Sequence, residues 1–418
     1  MVDHNRVRSL LFPGSVAVVG ASPRHARVVE KVMRSGHPAW GVHPTREDVL
    51  GLPCFPSVAA LPETPELAAL LVGHERVEQA FEDALAGGVR AFFLPGLGNE
   101  AGPAGPEIAA RIAARARAED VVLIGPNCMG VAAPEELSLW IGTVPDTFRP
   151  GRVSVVSQSG SIAEALLGIG PRVGFRCVVS SGGEAVSDAA DFLGFLAEDD
   201  GTGAVGLFLE TVRRPAEFAS ALERCAESGK PVVCLKVGRS QAAARAALAH
   251  TGAVVGSNRA FSALLRRHGA VGVEDFTALV ETLEVLGRSR RPRGKRIAAI
   301  SESGGEGALL ADHGEATGMP FEPLPPEVAV ELTSLARNRI SKRTWRRVHT
   351  ASFVLFVFAT VHGLAAGTDT RSAAARLLVL AVVTLFAGLT AIRVTDLVRL
   401  RPVAATPAGP RRDLPVRR

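Results

Sequence analysis

Short apolar runs alternate with longer amphipathic runs through the first 290 residues of the chain. Apolar runs rich in β-branched residues predict buried strands, whereas apolar positions three and four residues apart predict helices. The predicted strands are 15–19, 67–72, 89–94, 121–124, 153–156, 177–180, 204–210, 232–236 and 270–273, and the predicted helices are 28–33, 77–85, 105–118, 162–167, 189–197, 215–227 and 258–267. Strands that alternate with helices across short loops favour parallel, doubly wound sheets. The sequence therefore predicts an α/β protein.

This pattern predicts two α/β domains and the beginning of a third. The first domain covers residues 1–148 and the second covers residues 149–290. The following pattern predicts a strand at 296–301, a helix at 308–316 and a short strand at 319–321. One βαβ unit cannot bury both faces of a parallel sheet, so this unit is either incomplete or packs on the preceding domain. We interpret residues 291–332 as a truncated third α/β unit.

Two apolar runs follow, at residues 348–367 and 373–392. Each is about 20 residues long, which is enough to cross a bilayer. Basic residues flank both ends of the pair, so the positive-inside rule places both ends in the cytoplasm. We therefore predict a transmembrane helical hairpin over residues 345–396, with two buried core helices as the alternative. The Pro- and Arg-rich residues 397–418 predict a disordered basic tail.

The net charge of +5 is unevenly distributed. Residues from 337 onward contain 15 Lys and Arg against three Asp and Glu, so the preceding residues are acidic overall. An acidic body does not favour a nucleic-acid partner. The five cysteines are scattered and form no C-x-x-C pair, which is typical of reduced thiols in a cytosolic domain.

Candidate ligand-binding loops follow three of the predicted strands. Ser157, Gln158, Ser159 and Gly160 lie between a strand and a helix, where backbone N–H groups, hydroxyls and the positive helix end suit a phosphate. An ordinary βα connection with a serine N-cap is the alternative. The other two loops contain Gly20, Ala21 and Ser22, and Pro126 and Asn127. Ligands of such sheets bind at the carboxyl ends of the strands.

Two further residues carry chemistry at the same predicted sheet edge. Glu210 ends an apolar strand, and His250 lies in a glycine-containing turn. A carboxylate, a histidine and a phosphate-binding turn would converge on one rim of a parallel sheet. The alternatives are a solvated acid at a strand end and a surface histidine.

Nine colinear motifs carry a resemblance to a known family. They are SVAVVGAS (15–22), VLGLPCFPSVAALPE (49–63), GPNCMGV (125–131), VSVVSQSGSIAEALL (153–167), DFLGFLAED (191–199), LFLETV (207–212), GKPVVCLKVGRS (229–240), AHTGAVVGS (249–257) and SGGEGALLADHGEATGM (303–319). Over residues 9–330 the chain resembles the CoA-binding and ligase half of the ADP-forming (NDP-forming) acyl-CoA synthetases, relatives of the succinyl-CoA synthetase α subunit. The resemblance implies a Rossmann-like CoA-binding domain followed by a flavodoxin-like, succinyl-CoA-synthetase-like domain.

The resemblance also implies roles for the candidate residues. In this family phosphate attacks an acyl-CoA to give an acyl phosphate, and a histidine takes the phosphoryl group before ADP receives it. His250 matches that histidine, and Glu210 matches the acid that orients its imidazole. The loop of Ser157, Gln158, Ser159 and Gly160 matches the loop that holds phosphate. The region that receives CoA is matched by Gly20, Ala21, Ser22, Pro126 and Asn127.

The resemblance does not extend to the ATP-grasp part that carries ADP in this family. It therefore implies a separate ATP-grasp β-type subunit, through which ADP or ATP and Mg²⁺ would act. This chain would take part in binding CoA, phosphate and a substrate that is an acyl-CoA or a carboxylic acid. A non-catalytic, membrane-anchored CoA-binding protein is the alternative, and a homo-oligomer is compatible with either.

Three stretches depart from the family pattern. The S-x-G-N motif followed by K/E-A-D is SSGGEAV at 180–186, without the Asn and the Asp. The usual Asn-Pro after the second strand is His43-Pro44. The Gly-Lys-x-Gly region after Ser22 is RHAR at 24–27. These departures concern CoA affinity and the support of the phosphate loop.

The end of the chain has a resemblance of its own. Residues 344–349 and 361–369 resemble the closing helices of ferric-reductase-like transmembrane proteins, which bind haem b through paired helices. His349 and His362 match the histidine pair of one such helix, and a homodimer would supply the other axial ligands. A haem-binding membrane oxidoreductase fragment is thus a further alternative. The expected location is a cytoplasmic body anchored to the inner (plasma) membrane by the hairpin.

Overall fold

In a computed structural model of the chain, the structure describes residues 4–239, 258–288, 297–301, 303–322 and 327–328. The chain divides into two compact units, residues 1–293 and 294–418. Within the described ranges, no helix combines the length and the apolar character that a membrane span needs. The predicted hairpin at 345–396, the basic tail at 397–418 and the candidate residues His250, His349 and His362 lie outside the described residues.

The first sheet of unit 1–293 has the Rossmann strand order. Its strands are β1 (Val16–Val19), β2 (Ala39–Val42), β3 (Asp48–Val49), β4 (Leu52–Phe55), β5 (Leu67–Leu70), β6 (Ala91–Phe93) and β7 (Val122–Ile124). They lie in the order β3-β4-β2-β1-β5-β6-β7, and all neighbours are parallel except the β3–β4 pair. Apart from the β3 hairpin, this is the 3-2-1-4-5-6 order of dinucleotide-binding folds. The strand order reverses between β1 and β5.

Helices cover both faces of this sheet, as the alternating pattern predicts. They are α1 (His4–Leu11), α2 (Ala26–Arg34), α3 (His74–Ala86) and α4 (Ala104–Ala118). The four residues of β1 and of β5 are all buried, which explains their uninterrupted apolar sequences. The sequence pattern does not predict α1. This helix packs on β6 and β7 of the first sheet and also on the sixth helix, beside the second sheet.

The second sheet has the flavodoxin strand order. Its strands are β8 (Gly130–Ala132), β9 (Leu139–Trp140), β10 (Pro150–Ser157), β11 (Phe175–Ser180), β12 (Ala204–Leu209), β13 (Val232–Lys236) and β14 (Val271–Val273). They lie in the order β14-β13-β12-β10-β11-β8-β9, and the pairs β11–β8 and β8–β9 are antiparallel. The five parallel strands follow the 2-1-3-4-5 order, which reverses between β10 and β12. The Rossmann-like and flavodoxin-like expectations are thus both confirmed.

The helices of the second sheet agree closely with the sequence pattern. They are α5 (Gly160–Leu167), α6 (Ala189–Glu198), α7 (Pro215–Glu227), α8 (Asn258–Arg267) and α9 (Phe276–Leu286), of which the pattern had not indicated α9. Strands β8 and β9 belong to this sheet, although both fall within the predicted first domain 1–148. The first sheet ends at Ile124, so the chain crosses between the sheets in the loop at 125–129.

The predicted third α/β unit differs from the structure. Its helix is present as α10 (Gly304–Ala316), capped by Ser303, whose hydroxyl accepts a hydrogen bond from Glu306 N. Neither predicted strand is formed by the described residues 297–301 and 319–321. Ile297 and Ile300 are exposed at 42% and 66%, and an apolar run becomes a strand only where a neighbouring strand pairs with it. The strand prediction for this unit was therefore wrong over these residues.

Candidate functional site

A cleft of about 1870 Å³ opens at the carboxyl ends of both sheets. It lies where the strand order of each sheet reverses, after β1 and β5 on one side and after β10 and β12 on the other. The predicted site residues that line it are Gly20, Ser22, Pro126, Asn127, Gln158, Ser159, Gly160 and Glu210. Ala21 and Ser157 lie beneath this surface, with 0% exposure each. The structure therefore brings together every predicted site residue of unit 1–293 that it describes.

Gly20 brings the backbone of β1 against the end of β5. Its φ is +86°, and a Cβ atom at this position would lie 2.5 Å from Val72 Cγ1 and 2.6 Å from Leu71 O. Leu71 N donates a hydrogen bond to Val19 O, which keeps the two strand ends together. Only glycine fits this geometry, so the wall of the cleft here is bare backbone that a ligand can approach closely.

The Pro126–Asn127 loop connects the two sheets and contacts both. Asn127 N donates to Gly96 O at 2.8 Å, and Asn127 has a φ of +53° with an exposed side chain. Gly183 N donates to Pro126 O at 2.7 Å from the loop that follows β11. A Cβ atom on Gly182 would lie 2.3 Å from Asn127 O. The two loops are therefore packed backbone against backbone.

The predicted phosphate turn begins α5 and keeps free donors. Ser159 Oγ accepts a hydrogen bond from Ile162 N, and Ser157 Oγ accepts one from Ser159 N at 3.2 Å. Within the described ranges, the N–H groups of Gly160 and Ser161 have no protein acceptor. The hydroxyls of Ser159 and Ser161 lie 3.1 Å apart at the same helix end. Two open N–H groups, two hydroxyls and a helix N-terminus suit a tetrahedral anion.

The side chain of Gln158 holds the turn to the end of β12. Its Oε1 accepts hydrogen bonds from Glu210 N at 2.6 Å and Thr211 N at 3.0 Å. Its Nε2 donates to Thr211 O at 2.9 Å and to Glu184 Oε2 at 2.8 Å. All four contacts are within the protein, so this amide positions the turn and keeps no donor for a ligand.

Glu184 is a buried acid in the same wall, and the sequence analysis had not selected it as a site residue. It is 3% exposed and has a φ of +50°. Burial raises the pKa of Glu184 to about 8, and the charge of Asp188 adds to that shift, against hydrogen bonds from Ser181 and Gln158. A buried acid next to a predicted phosphate turn marks a functional-site candidate. The only sequence signal is its place in the departing stretch 180–186.

The carboxylate of Glu210 lies in the cleft and has no hydrogen-bond partner in the described part of the protein. Its backbone is fixed from two sides, because Lys236 Nζ donates to Glu210 O at 2.6 Å and Gln158 accepts from its N–H. Lys236 is 8% exposed, and burial lowers its pKa. The acid is therefore held by its backbone while its side chain remains available to a partner group.

His43 takes the place of the family's usual asparagine after the second strand. Its Nδ1 accepts hydrogen bonds from Thr45 N and Arg46 N, both at 3.2 Å. An asparagine carbonyl oxygen makes the same type of turn. This departure therefore preserves the local backbone. Arg24, Arg46 and Arg76 line the cleft on this side. No group of three His, Cys, Asp or Glu side chains suited to a metal ion occurs within the described ranges.

Comparison with known proteins agrees with this architecture. Residues 14–134 match the model of a CoA binding domain, and residues 150–286 match that of a succinyl-CoA ligase like flavodoxin domain. The chain is 33% identical over 321 residues to acetate–CoA ligase (ADP-forming) I of Archaeoglobus fulgidus, with 75% of its own length and 46% of the relative covered. It is 28% identical to the α subunit of acetate–CoA ligase (ADP-forming) I of Pyrococcus furiosus, with 75% and 70% covered.

The fold is also similar to a solved enzyme. Dinucleotide-forming acetyl-coenzyme A synthetase 1 of Candidatus Korarchaeum cryptofilum, in complex with phosphate and ADP, superposes with a TM-score of 0.71 at 26% identity, covering 80% of the present protein and 73% of the solved one. The protein spans about half the length of the relative from Archaeoglobus fulgidus, with 46% covered. The chain therefore contains a CoA-binding domain and a succinyl-CoA-ligase-like flavodoxin domain, and over these domains it is similar to ADP-forming acetate–CoA ligases.

Proposed function

We propose that this chain is the CoA-binding, α-type component of an ADP-forming acyl-CoA synthetase that works with a separate ATP-grasp subunit. The observation that carries the proposal is the single cleft onto which the switch points of both sheets open. The overall reaction would join a carboxylic acid and CoA at the expense of ATP, releasing ADP and phosphate. An α subunit of an ADP-forming acetate–CoA ligase is among the relatives of this protein, which supports the division into subunits.

The first-sheet wall has the features that CoA requires. Bare backbone at Gly20 admits a close approach by a ligand. Arg24, Arg46 and Arg76 supply positive charge for the phosphates of CoA. The apolar side chains of Val19 and Val72, which also line the cleft, would contact its uncharged arm.

The second-sheet wall would hold the phosphate that reacts with the acyl-CoA. A phosphate oxygen attacks the thioester carbonyl, the carbon–sulfur bond breaks, and the CoA thiolate leaves as an acyl phosphate forms. The N–H groups of Gly160 and Ser161 would bind the phosphoryl oxygens. His250, which lies outside the described residues, would then take the phosphoryl group, releasing the carboxylate. Glu210 would accept a hydrogen bond from the other imidazole nitrogen and so fix its tautomer.

ATP or ADP and Mg²⁺ would reach the phosphohistidine through the ATP-grasp partner. In that case the phosphoryl group would be transferred between this chain and the ATP-grasp subunit. Because this half-reaction starts from acyl-CoA and phosphate, it can be tested without the partner.

The test measures CoA binding by calorimetry and protein labelling from acetyl-CoA with [³²P]phosphate. We expect CoA to bind and an acid-labile phosphohistidine to form. His250→Ala should abolish the label and keep CoA binding, whereas the control His313→Ala, an exposed residue on α10, should keep both. Absence of CoA binding in the wild type would make the proposal wrong.

A non-catalytic CoA-binding protein is the second candidate. The stretch at 180–186, which lacks two polar residues of the family pattern beside the phosphate turn, favours it. This function predicts CoA binding without labelling from any acyl-CoA, with or without an ATP-grasp subunit. The same experiment therefore separates the two.

A further inference from the structure

An ionised Glu184 would carry a charge that its surroundings compensate poorly. The residue is 3% exposed, and within the described part of the chain the cationic group nearest to it is Arg213, whose Nε lies 3.9 Å from Glu184 Oε2 on a side chain that is 41% exposed. A buried carboxylate needs close pairing to remain ionised. The hydrogen bonds that it accepts come from two uncharged groups, Ser181 Oγ and Gln158 Nε2, both at 2.8 Å.

The hydrogen bonds around Glu184 can accommodate a proton without loss. Ser181 Oγ lies 2.8 Å from Glu184 Oε1 and 3.3 Å from Ser157 O. When the acid is ionised, the serine hydroxyl donates to Oε1. When Oε1 carries a proton, that proton is donated to Ser181 Oγ and the serine hydroxyl turns to Ser157 O. Gln158 Nε2 donates to Oε2 in both states.

The charges that face Glu184 come from the N-cap of α6 and from the residues that follow β12. Asp188, at the N-cap of α6, adds negative charge but is paired with Arg214. Arg213 and Glu210 follow β12, and Glu210 lines the same cleft. Gln158, which directly precedes Ser159, donates a hydrogen bond to Glu184. A doubly charged anion at the Ser159–Gly160 turn would therefore add negative charge to a wall that already contains two acids.

We propose that Glu184 takes up a proton when the phosphate dianion binds at the adjacent turn, so that Gln158 and the turn keep one geometry while the charge of the ligand is compensated. This inference rests on the proposed function, because it requires phosphate at that turn. It makes Glu184 a positioning residue for the phosphate step. Burial, which already raises the pKa of Glu184 to about 8, acts in the same direction as the arriving negative charge.

The experiment uses sulfate, a tetrahedral dianion that does not titrate near neutral pH. Sulfate binding to the full chain is measured by calorimetry at pH 7, 8 and 9, each in two buffers of different ionisation enthalpy. For the wild type we expect uptake of close to one proton at pH 9 and little at pH 7. We also expect affinity to fall about tenfold over that range, because the free protein must first bind the proton.

Glu184→Gln provides the neutral form permanently. Its side-chain oxygen can accept from Gln158 Nε2, and its amide can donate to Ser181 Oγ. We expect the proton uptake attributable to Glu184 and the tenfold loss both to disappear, with sulfate bound more tightly than by the wild type at pH 9. Glu217→Gln, an exposed charge change in the first turn of α7, should behave like the wild type.

A direct measurement does not depend on the variants. Infrared difference spectra of the wild type at pH 9 should gain a carboxylic acid C=O band when sulfate is added. Equal proton uptake by the wild type and Glu184→Gln, or no new C=O band, would overturn the inference while leaving the proposed function intact. If neither sulfate nor phosphate binds at any pH, the phosphate site itself is wrong, and both fail.

Discussion

At the Gly20 turn of the first-sheet wall, bare backbone forms the surface that a ligand meets. At the Gln158 turn of the second-sheet wall, a hydrogen-bonded side chain holds the turn in place. A Cβ atom added to Gly20 would lie within 2.6 Å of Val72 Cγ1 and Leu71 O. Close contact between atoms therefore defines that turn. Gln158 instead makes four hydrogen bonds to hold the end of β10 against β12.

This difference predicts which changes should destabilise each wall. A wall defined by close backbone contact is sensitive to added volume and insensitive to pH. A wall defined by a buried polar network is sensitive to the loss of any partner and to the protonation of its acid. Substitutions on the two walls should therefore have distinguishable signatures in unfolding and binding measurements.

Gly20→Ala should have the largest effect. The added Cβ atom would overlap Val72 and Leu71, and a φ of +86° is unfavourable for alanine. Strain and overpacking together predict a loss of about 4 kcal/mol in the free energy of unfolding, with CoA binding lost as well. Gly36→Ala is the matched control, because Gly36 has a φ of +72° with no atom within 4 Å. It should lose only about 1 kcal/mol in urea unfolding. Similar losses in both variants would contradict the steric account of this wall.

Gln158→Ala should be next in size. It leaves the N–H groups of Glu210 and Thr211 without their acceptor and Glu184 Oε2 without the donor Gln158 Nε2. Because these unsatisfied groups are half-buried and number three, they predict a loss of about 3 kcal/mol in the free energy of unfolding. Gln79→Ala removes an exposed amide that bonds only to Asp83, so it should lose less than about 0.5 kcal/mol. If the two losses are alike in urea titrations, the network does not stabilise the second wall.

Glu184→Gln should stabilise the protein in a pH-dependent way. The pKa of Glu184 is raised from 4.5 to about 8 in the folded state, so the wild type loses stability as pH rises from about 4.5 to about 8 and no more above that. The variant avoids this loss. It should be more stable by about 2 kcal/mol or more at pH 8.5 and equal at pH 4.5.

Urea unfolding at the two pH values, with Glu217→Gln as the control, measures this difference. A gain of the same size at pH 4.5 would show that packing, rather than ionisation, is responsible.

The sequence predicted most of what positions the cleft. Alternating periodicity located the central strands of both sheets, and the loops after β1, β7 and β10 were identified from residues that lie next to one another. Local patterns suffice to predict these strands and loops, because strand burial and turn conformation both depend on a few consecutive residues. The sequence pattern does not predict the helix α1, because its eight residues have only one short apolar face. Contacts of that face with β6, β7 and α6 stabilise the helix, and a local pattern does not contain them.

The roles of Gln158 and Glu184 depended on contacts that no local pattern contains. Their side chains meet across 26 residues, and Gln158 reaches Thr211 across 53. The pattern therefore indicated a glutamine at a phosphate turn but not that its amide is used within the protein. The strand prediction was wrong over the described residues 297–301 for the related reason that an apolar run does not specify a pairing partner. His250 remains a prediction from the family motif.

His43→Asn should have the smallest effect and tests whether the first wall depends on geometry rather than residue identity. An asparagine oxygen can accept from Thr45 N and Arg46 N as His43 Nδ1 does, so stability should change by less than about 0.5 kcal/mol and CoA affinity by less than about twofold. His43→Ala leaves both N–H groups to solvent and should lose about 1 kcal/mol with weaker CoA binding. Calorimetry with CoA and urea unfolding measure both quantities. If His43→Asn weakened CoA binding as much as His43→Ala, the imidazole itself would contact the ligand, and residue identity as well as geometry would matter at this position.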